Sequence, residues 1–271
     1  MVFEPIGERH AIQNVTFTLM FDEAFTETDI GRISQGASSW ISFLPKEERA
    51  QFVQMVFGEP PTGVTPPPPP VGIRYSRMNP DGTNDWLLSF NENQVSIQCF
   101  TYTRWDTVWG SAKSVLHDAL KVISNGNRNL LHMNLQIIDV FEWTGNPADM
   151  SADKLFQTNG DFFPRTVDDF GSYWHLHNGY FQEIKFLSKG PLSKARTLNR
   201  IHVDAHTQND RNLVIIDHAL RTDTPLPTSA VADISETDYL DVVFSKLHTL
   251  NKLALAGLLT DEIQARIHLN G

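Results

Sequence analysis

The sequence predicts an α+β fold of two modules, each a mainly antiparallel β-sheet covered on one face by a long amphipathic helix. Segments that alternate apolar and polar residues fall into two groups of three, and stretches rich in turn residues join the strands of the first group. Each group is followed by a long segment whose apolar residues recur at helical spacing. We expect the modules to span residues 1–145 and 146–271.

The first module begins with a strand and a capped helix. Residues 15–21 place four apolar side chains on one face, which is typical of a half-buried strand. Thr26, with Asp29 three positions later, predicts a capping box at the start of a helix. A second, short helix is predicted over 46–57. The prolines of 59–70 predict an exposed polyproline loop, interpreted as a stiff connection or as a ligand for a proline-recognising domain.

A three-stranded meander and the clearest helix of the chain complete the first module. The strands are expected over 71–77, 86–90 and 95–104. The helix is predicted from one broad apolar stripe, formed by Trp105, Val108, Trp109, Ala112, Val115, Leu116, Ala119, Val122 and Ile123. Asn125-Gly126 is expected to end it, and residues 131–143 are expected to form a long strand.

The second module repeats this order of elements with negligible sequence identity to the first. Its strands are expected over 174–187, 195–207 and 212–221. Ser235, with Asp238 three positions later, is predicted to start the last long helix. Gly257 is expected to end that helix, and Thr260 is expected to cap a final short one.

The charge of the chain argues against general nucleic-acid binding. Its formal net charge is −10, and an acidic surface repels phosphate backbones. A local exception is a basic run formed by Lys185, Lys189, Lys194, Arg196 and Arg200. We interpret this run either as a solvated loop or as a site for an anionic ligand or an acidic partner.

Cysteine usage and hydropathy predict a cytoplasmic protein. Cys99 is the only cysteine, so no intrachain disulfide can form, and a reducing compartment fits. Its place in a strand-like segment indicates a core residue instead of a nucleophile. No apolar segment approaches the length of a membrane span, and the N-terminal residues do not resemble a signal peptide. We therefore expect no contact with a membrane.

One histidine-rich strand could carry metal or acid–base chemistry. His202, Asp204 and His206 alternate along it and are expected to share one face. Imidazole and carboxylate groups both bind zinc, and they also form acid–base pairs. His218, on the next strand, could join them if the strands form a meander. However, residues four apart on a strand lie about 13 Å apart, so the alternative of a polar sheet surface stays open.

A second constellation predicts a binding face for a partner. The segment from residue 174 to 183 alternates aromatic and histidine side chains, which supply much contact area at low entropy cost. An ordinary half-exposed strand is the alternative. The residues expected to contact a partner are Trp174, His175, His177, Tyr180, Arg196 and Arg200.

Three segments resemble a sporadically distributed family of bacterial proteins. They are PIGERHAIQNVTFTLMF near the N-terminus, VSIQCFTYTRWDTVW in the first module and LHTLNKLALAGLLTDEI near the C-terminus. The matching features are Gln98, Tyr102, Arg104, Trp105, His248, Thr260 and Asp261. The family has no established catalytic residues, so the resemblance implies little about chemistry. The polyproline stretch and the histidine-rich second half depart from its general pattern.

Signatures of common enzyme classes are absent from the sequence, which contains neither a phosphate-binding glycine loop nor a nucleophile elbow. We therefore expect a non-enzymatic binding or regulatory protein without a cofactor, of an antitoxin, immunity or defence type from an accessory locus. Its partner would be a protein encoded nearby, or a second copy that pairs at an open sheet edge. The alternatives are a metal-dependent hydrolase or nuclease that uses His202, Asp204, His206 and His218, and a sensor of a small ligand.

Overall fold

In the described part of the chain, ten strands and five α-helices form a single α+β structure. The structure is a computed structural model that describes residues 3–7, 9–51, 71–124, 128–159, 162–163, 171–235 and 237–269. The predicted polyproline loop at 59–70 and the predicted helix stop at Asn125-Gly126 lie outside these residues.

The bounds of most elements are close to the predicted ones, although the strand predicted over 95–104 ends at Cys99 and the strand predicted over 212–221 continues to Pro227. The strands are β1 (Phe3–Pro5), β2 (Ile12–Phe21), β3 (Lys46–Gln51), β4 (Val71–Met78), β5 (Asn84–Asn91), β6 (Gln94–Cys99), β7 (Asn129–Trp143), β8 (Trp174–Ile184), β9 (Ala195–Gln208) and β10 (Arg211–Pro227). The helices are α1 (Glu27–Gly36), α2 (Trp105–Ile123), α3 (Thr228–Ala232), α4 (Tyr239–Leu258) and α5 (Asp261–Arg266). Both predicted meanders and both predicted long helices are therefore present.

All ten strands belong to one antiparallel sheet. Its order is β3-β4-β5-β6-β2-β7-β10-β9-β8, and β1 pairs with the end of β7 beyond β2. The meander β4-β5-β6 joins the centre through the pairing of β6 with β2, and the meander β8-β9-β10 joins it through the pairing of β10 with β7. The central pair is β2 with β7.

This topology confirms the α+β class and the antiparallel pairing but not the arrangement as two modules. β7, which ends the first predicted module, pairs on one side with β2 and on the other with β10. A strand edge left unpaired would expose backbone donors and acceptors, and pairing across the centre satisfies them. The boundary at 145/146 thus falls just after a strand that both halves share.

The long helices pack on one face of this sheet. On this face Phe17 of β2 contacts Trp109 of α2 and Phe244 of α4, with ring centroids 5.1 and 5.3 Å apart. Two clusters of buried apolar residues fill the space between, and α4 contributes Leu247 to the first and Leu255 to the second. Among the described residues, every helix is too short or too polar to cross a membrane.

Helix capping is confirmed at one predicted start and corrected at another. The backbone N–H of Asp29 donates to Thr26 Oγ1 over 3.2 Å, and its carboxylate accepts from the N–H of Thr26 over 2.9 Å, which completes the capping box of α1. Helix α4 begins three residues later than predicted, because Asp238, not Ser235, accepts the backbone N–H of Asp241 over 3.0 Å.

The prediction of a short helix over 46–57 is wrong for its first half. Residues 46–51 form strand β3, paired with β4 over all six positions, and residues 52–57 lie outside the described part of the chain. The charged sequence KEERAQ favours a helix when it is read alone. Pairing with the edge of β4 overrides that local preference.

Candidate functional site

The face of the sheet opposite the long helices carries polar side chains around a shallow depression of about 390 Å³. We call it the open face. All its lining residues come from strands, and none of the described helices contributes to it. They are Thr16, Thr18, Met20, Gln94, Ser96, Gln98, Asn134, Gln136, Leu198, Arg200, Ala219 and Arg221.

Strand register places most of these side chains in two parallel rows. Paired residues point to the same face, and each step to the next strand is about 4.8 Å. The first row runs through Ser96, Thr18, Asn134 and Arg221. The second row runs through Gln98, Thr16, Gln136, Ala219 and Arg200. The rows present hydroxyl, amide and guanidinium groups as an array of hydrogen-bond donors and acceptors.

Part of the array is held in place by side-chain hydrogen bonds. Gln98 Nε2 donates to Thr16 Oγ1 over 3.2 Å. Gln136 Nε2 donates to one oxygen of Asp217 over 2.8 Å, and Arg200 Nη2 donates to the other over 3.1 Å. These contacts orient the amide groups and neutralise the charge of Arg200 by an adjacent carboxylate.

Arg221 is the arginine of this array whose charge is not neutralised by a described carboxylate. It forms no ion pair with any carboxylate of the described residues, whereas Arg200 pairs with Asp217. The Nε–H groups of both arginines are shielded from solvent and donate to no acceptor in the described part of the chain. Because an unsatisfied donor carries a free-energy cost, an added anionic acceptor near Arg221 would be favourable.

A mixed cluster forms the rim of the open face next to Arg221. Asp223 lies 3.2 Å from Nδ1 of His132 and 3.1 Å from Nε of Arg196. The guanidinium of Arg196 also stacks over the ring of Phe181 at 4.9 Å. Burial, and then the nearby Arg221 guanidinium, lower the pKa of His132. The carboxylate of Asp223 is thus shared within the rim and leaves Arg221 unpaired.

The structure separates the four residues predicted to surround a metal. His202, Asp204 and His206 share the open face as expected, and His202 Nε2 lies 3.3 Å from Asp204 Oδ2. The ring of His177 on β8 is 5.4 Å from that of His202. His218 points to the helix side of β10, since its register partner is Ile201 and not His202. Within the described ranges, no three histidine, cysteine or acidic side chains are arranged to hold a metal ion.

His218 instead belongs to a buried hydrogen-bond chain between the sheet and α4. Asn199 Nδ2 donates to the hydroxyl of Tyr180 over 3.2 Å, which leaves Asn199 Oδ1 to accept from His218 Nε2 over 3.0 Å. His218 Nδ1 accepts from Asn251 Nδ2 over 2.8 Å. The partners assign the neutral tautomer with the proton on Nε2. Burial, and then Arg200, lower the pKa of His218 to about 4, which fits a structural histidine.

The residues predicted to contact a partner divide between the two faces of the sheet. Four of them lie on the open face: His175, His177, Arg196 and Arg200. Trp174 and Tyr180 point to the helix side. There Trp174 packs 6.0 Å from Phe156 and 6.2 Å from Phe163, measured between ring centroids. The predicted set is therefore not one contiguous surface.

The basic run is largely neutralised. Three of its five members contact carboxylates, in the pairs Lys194–Glu183, Arg196–Asp223 and Arg200–Asp217. The solvated-surface interpretation therefore describes these three residues better than a free cationic patch does.

Asp139 is a site that the sequence interpretation missed. It lies on the helix side of β7, is 2% exposed, and its Oδ2 accepts no hydrogen bond from the described residues. Burial raises the pKa of Asp139 to about 7. Burial, and then the Asp139 carboxylate, raise the pKa of the nearby Tyr102. The sequence contained a signal for this burial. Asp139 lies two residues after Ile137 and two before Phe141, so in a strand it shares their buried face.

Cys99 is a core residue, as predicted. It is fully buried on the helix side of β6, and burial raises the pKa of its thiol to about 11. A thiol with such a pKa is a poor nucleophile at neutral pH.

A second depression, of about 800 Å³, lies beside the start of α5. Its described lining includes the carboxylates of Asp153 and Asp261 and no cationic or imidazole side chain. It lacks the ordered array of donors and acceptors found on the open face, so we take the open face as the candidate site.

Comparisons with known proteins add no family assignment. No protein-family model matches the chain, and no curated protein matches it. The resemblance to a sporadically distributed bacterial family therefore stays a prediction.

Proposed function

We propose that this chain is a non-enzymatic binding protein that recognises a protein partner through the open face. The observation that carries the proposal is the unpaired Arg221, which stands within two rows of amide and hydroxyl groups that cross the centre of the sheet. Main-chain amides of a partner can bond to Gln98, Asn134 and Gln136, and an acidic side chain can bind Arg221. A partner segment with acidic residues is therefore the chemistry that fits best.

The biological role of the chain and the compartment in which it acts are proposed from the sequence. The family resemblance favours a regulatory component of an antitoxin, immunity or defence type, with a partner encoded nearby and both proteins in the cytoplasm. The rival hydrolase or nuclease has less support, because the described histidines and carboxylates do not converge and His218 lies on the other face.

We also propose that the predicted modules 1–145 and 146–271 are two versions of one unit that share a sheet. The order meander, long helix occurs as β4–β6 and α2 in the first module and again as β8–β10 and α4 in the second. The open face spans the junction of the two units, where β7 of the first pairs with β10 of the second. A partner bound there would contact both units at once.

The test compares two double variants in the native host. Asn134→Ala with Arg221→Ala removes two neighbouring groups of the first row without breaking an ion pair to a described carboxylate. The matched control, Lys246→Ala with Thr249→Ala, changes two exposed residues of α4 on the opposite side. Tagged wild type and both variants are purified, and the proteins that accompany them are quantified by mass spectrometry.

We expect a protein enriched with wild type and with the control to be reduced by roughly tenfold or more with the open-face variant, equivalent to about 1.4 kcal/mol. The purified partner should then show the same ranking in calorimetric titrations. Unchanged thermal unfolding would show that the variant is folded. Equal recovery of that protein by the open-face variant would refute this site as the binding surface.

A further inference from the structure

The two edge strands of the sheet, β3 at one end of the strand order and β8 at the other, differ in length and charge. At one end, β3 has six residues, and four of them are charged: Lys46, Glu47, Glu48 and Arg49. At the other end, β8 has eleven residues and pairs with β9 alone among the described strands. Short length and charge are the usual means by which proteins protect an edge from pairing with another chain. The β3 end has both.

Among the described residues, the β8 end carries fewer of these protective features: the strand is longer than β3, and Glu183 is its only acidic, lysine or arginine residue. Its sequence, WHLHNGYFQEI, contains no lysine and no proline, and its pairing with β9 continues without a register shift. Tyr180 and Phe181 are 45% and 55% exposed. The outer edge of β8 is therefore a segment without a bulge, about 37 Å long at about 3.4 Å per residue, with aromatic side chains beside it.

The sequence of β8 is complementary to itself in the antiparallel direction. When two copies pair about Gly179, His175 of one copy lies opposite Glu183 of the other, and Trp174 lies opposite Ile184. The first pair joins a basic and an acidic group on the open face, and the second joins two apolar groups on the helix side. Phe181 then lies opposite His177. No like-charged pair occurs in this register.

Gly179 stands at the point where the two copies cross. It has no side chain, so the two strands meet there without a bulky pair that must be accommodated. A two-fold axis through this point, perpendicular to the sheet, keeps the open faces of both copies on the same side.

We propose that two copies of this chain associate through β8 and form one continuous twenty-stranded sheet with Gly179 on its two-fold axis. The histidines of β8 from both copies then lie on one shared open face. This dimer is independent of the proposed partner, because it uses the edge of the sheet and not the depression at its centre.

Cysteine substitution tests the register directly. Cys99 is the only cysteine of the chain and is buried, so an introduced thiol is the only accessible one. Gly179→Cys places the two thiols opposite each other, within about 5.5 Å between Cβ atoms. The control is His175→Cys, which also places an exposed thiol on β8. In the dimer its two thiols are about 27 Å apart, because they are eight residues apart along the strand at about 3.4 Å per residue.

We expect a short bismaleimide to crosslink Gly179→Cys at least roughly tenfold faster than His175→Cys, because the facing pair lies within about 5.5 Å. Equal rates, or faster crosslinking of His175→Cys, would overturn the proposed register. Circular dichroism of both variants confirms that neither substitution unfolds the edge.

A second experiment measures the association itself. Phe181→Lys places a charge on the edge, whereas Leu253→Lys makes the same kind of change at a residue of α4 that is 64% exposed. In size-exclusion chromatography with light scattering, wild type and Leu253→Lys should be dimers. Phe181→Lys should raise the dissociation constant by roughly tenfold or more, equivalent to about 1.4 kcal/mol. A monomeric wild type at tens of micromolar, or a Phe181→Lys dimer as stable as wild type, would refute the proposal.

Discussion

Asp139→Asn should change the way in which stability depends on pH. The carboxyl group of Asp139 is 2% exposed on the helix side of β7, and burial raises its pKa from the usual 3.8 to about 7. Between these two values the unfolded chain ionises this group while the folded chain keeps it protonated. The free energy of unfolding is therefore reduced progressively as the pH rises from about 4 to about 7. Asparagine has the same shape and does not ionise.

The size of the effect follows from the interval between the two pKa values. At about 1.4 kcal/mol per pH unit, the interval from 3.8 to about 7 corresponds to about 4 kcal/mol as an upper limit. The unfolding free energy of Asp139→Asn relative to wild type should therefore increase by up to about 4 kcal/mol between pH 4 and pH 8. Replacing the carboxyl group with an amide also changes the unfolding free energy by an amount that does not depend on pH. This amount cancels when the two pH values are compared.

Urea denaturation of wild type and Asp139→Asn at half-unit steps from pH 4 to pH 8 measures this difference. Tyr102→Phe is the control, because it alters a neighbouring side chain and keeps the carboxyl group whose burial raises the pKa. Its difference from wild type should be the same at every pH. A flat difference for Asp139→Asn over the whole range would show that the carboxyl group is not buried as described.

Three further changes test other parts of the structure. Asn251→Leu removes the donor to His218 Nδ1 and should lower the unfolding free energy by about 1–3 kcal/mol in urea denaturation; a neutral result would contradict this hydrogen bond. His218 has its pKa lowered to about 4, so its contribution is complete above pH 6.5 and is lost as the pH falls towards 4. His218→Gln should therefore reduce the loss of melting temperature between pH 6.5 and pH 4, and an unchanged loss would contradict the assignment. Asp29→Ala breaks the buried pair with Arg128 and the capping box of α1, and calorimetry should show a loss of about 3 kcal/mol or more; a loss no larger than that of Thr26→Ala would contradict the buried pair.

Local pattern was sufficient to predict most elements of this fold. Residues 15–21 form a strand with one buried face, and the segment from Trp105 to Ile123 forms a helix with one buried stripe. In both, the spacing of apolar residues within the segment is sufficient to predict the type of element. The failure at β3 has the opposite cause. Its charged residues pair with β4, and this long-range contact leaves no periodic signal.

The arrangement of the site could not be predicted from single segments. Alternation correctly placed His202, Asp204 and His206 on one face, but the side of the sheet on which His218 lies depends on the register between β9 and β10. A shift of one residue would reverse it. The open face is built from five strands drawn from both halves of the chain, so its amides and Arg221 were recognisable only after the strand order was known.

The position of β7 also affects how the chain reaches its native state. During synthesis, β2 and β4–β6 precede β7, but the other edge of β7 must wait for β10, which ends at Pro227. Until then a nascent chain would carry an unprotected fifteen-residue edge as it leaves the ribosome. Such pairings between distant segments slow folding and expose the growing chain to aggregation. The same strand that unites the finished sheet is thus the segment at which chaperones would be most needed.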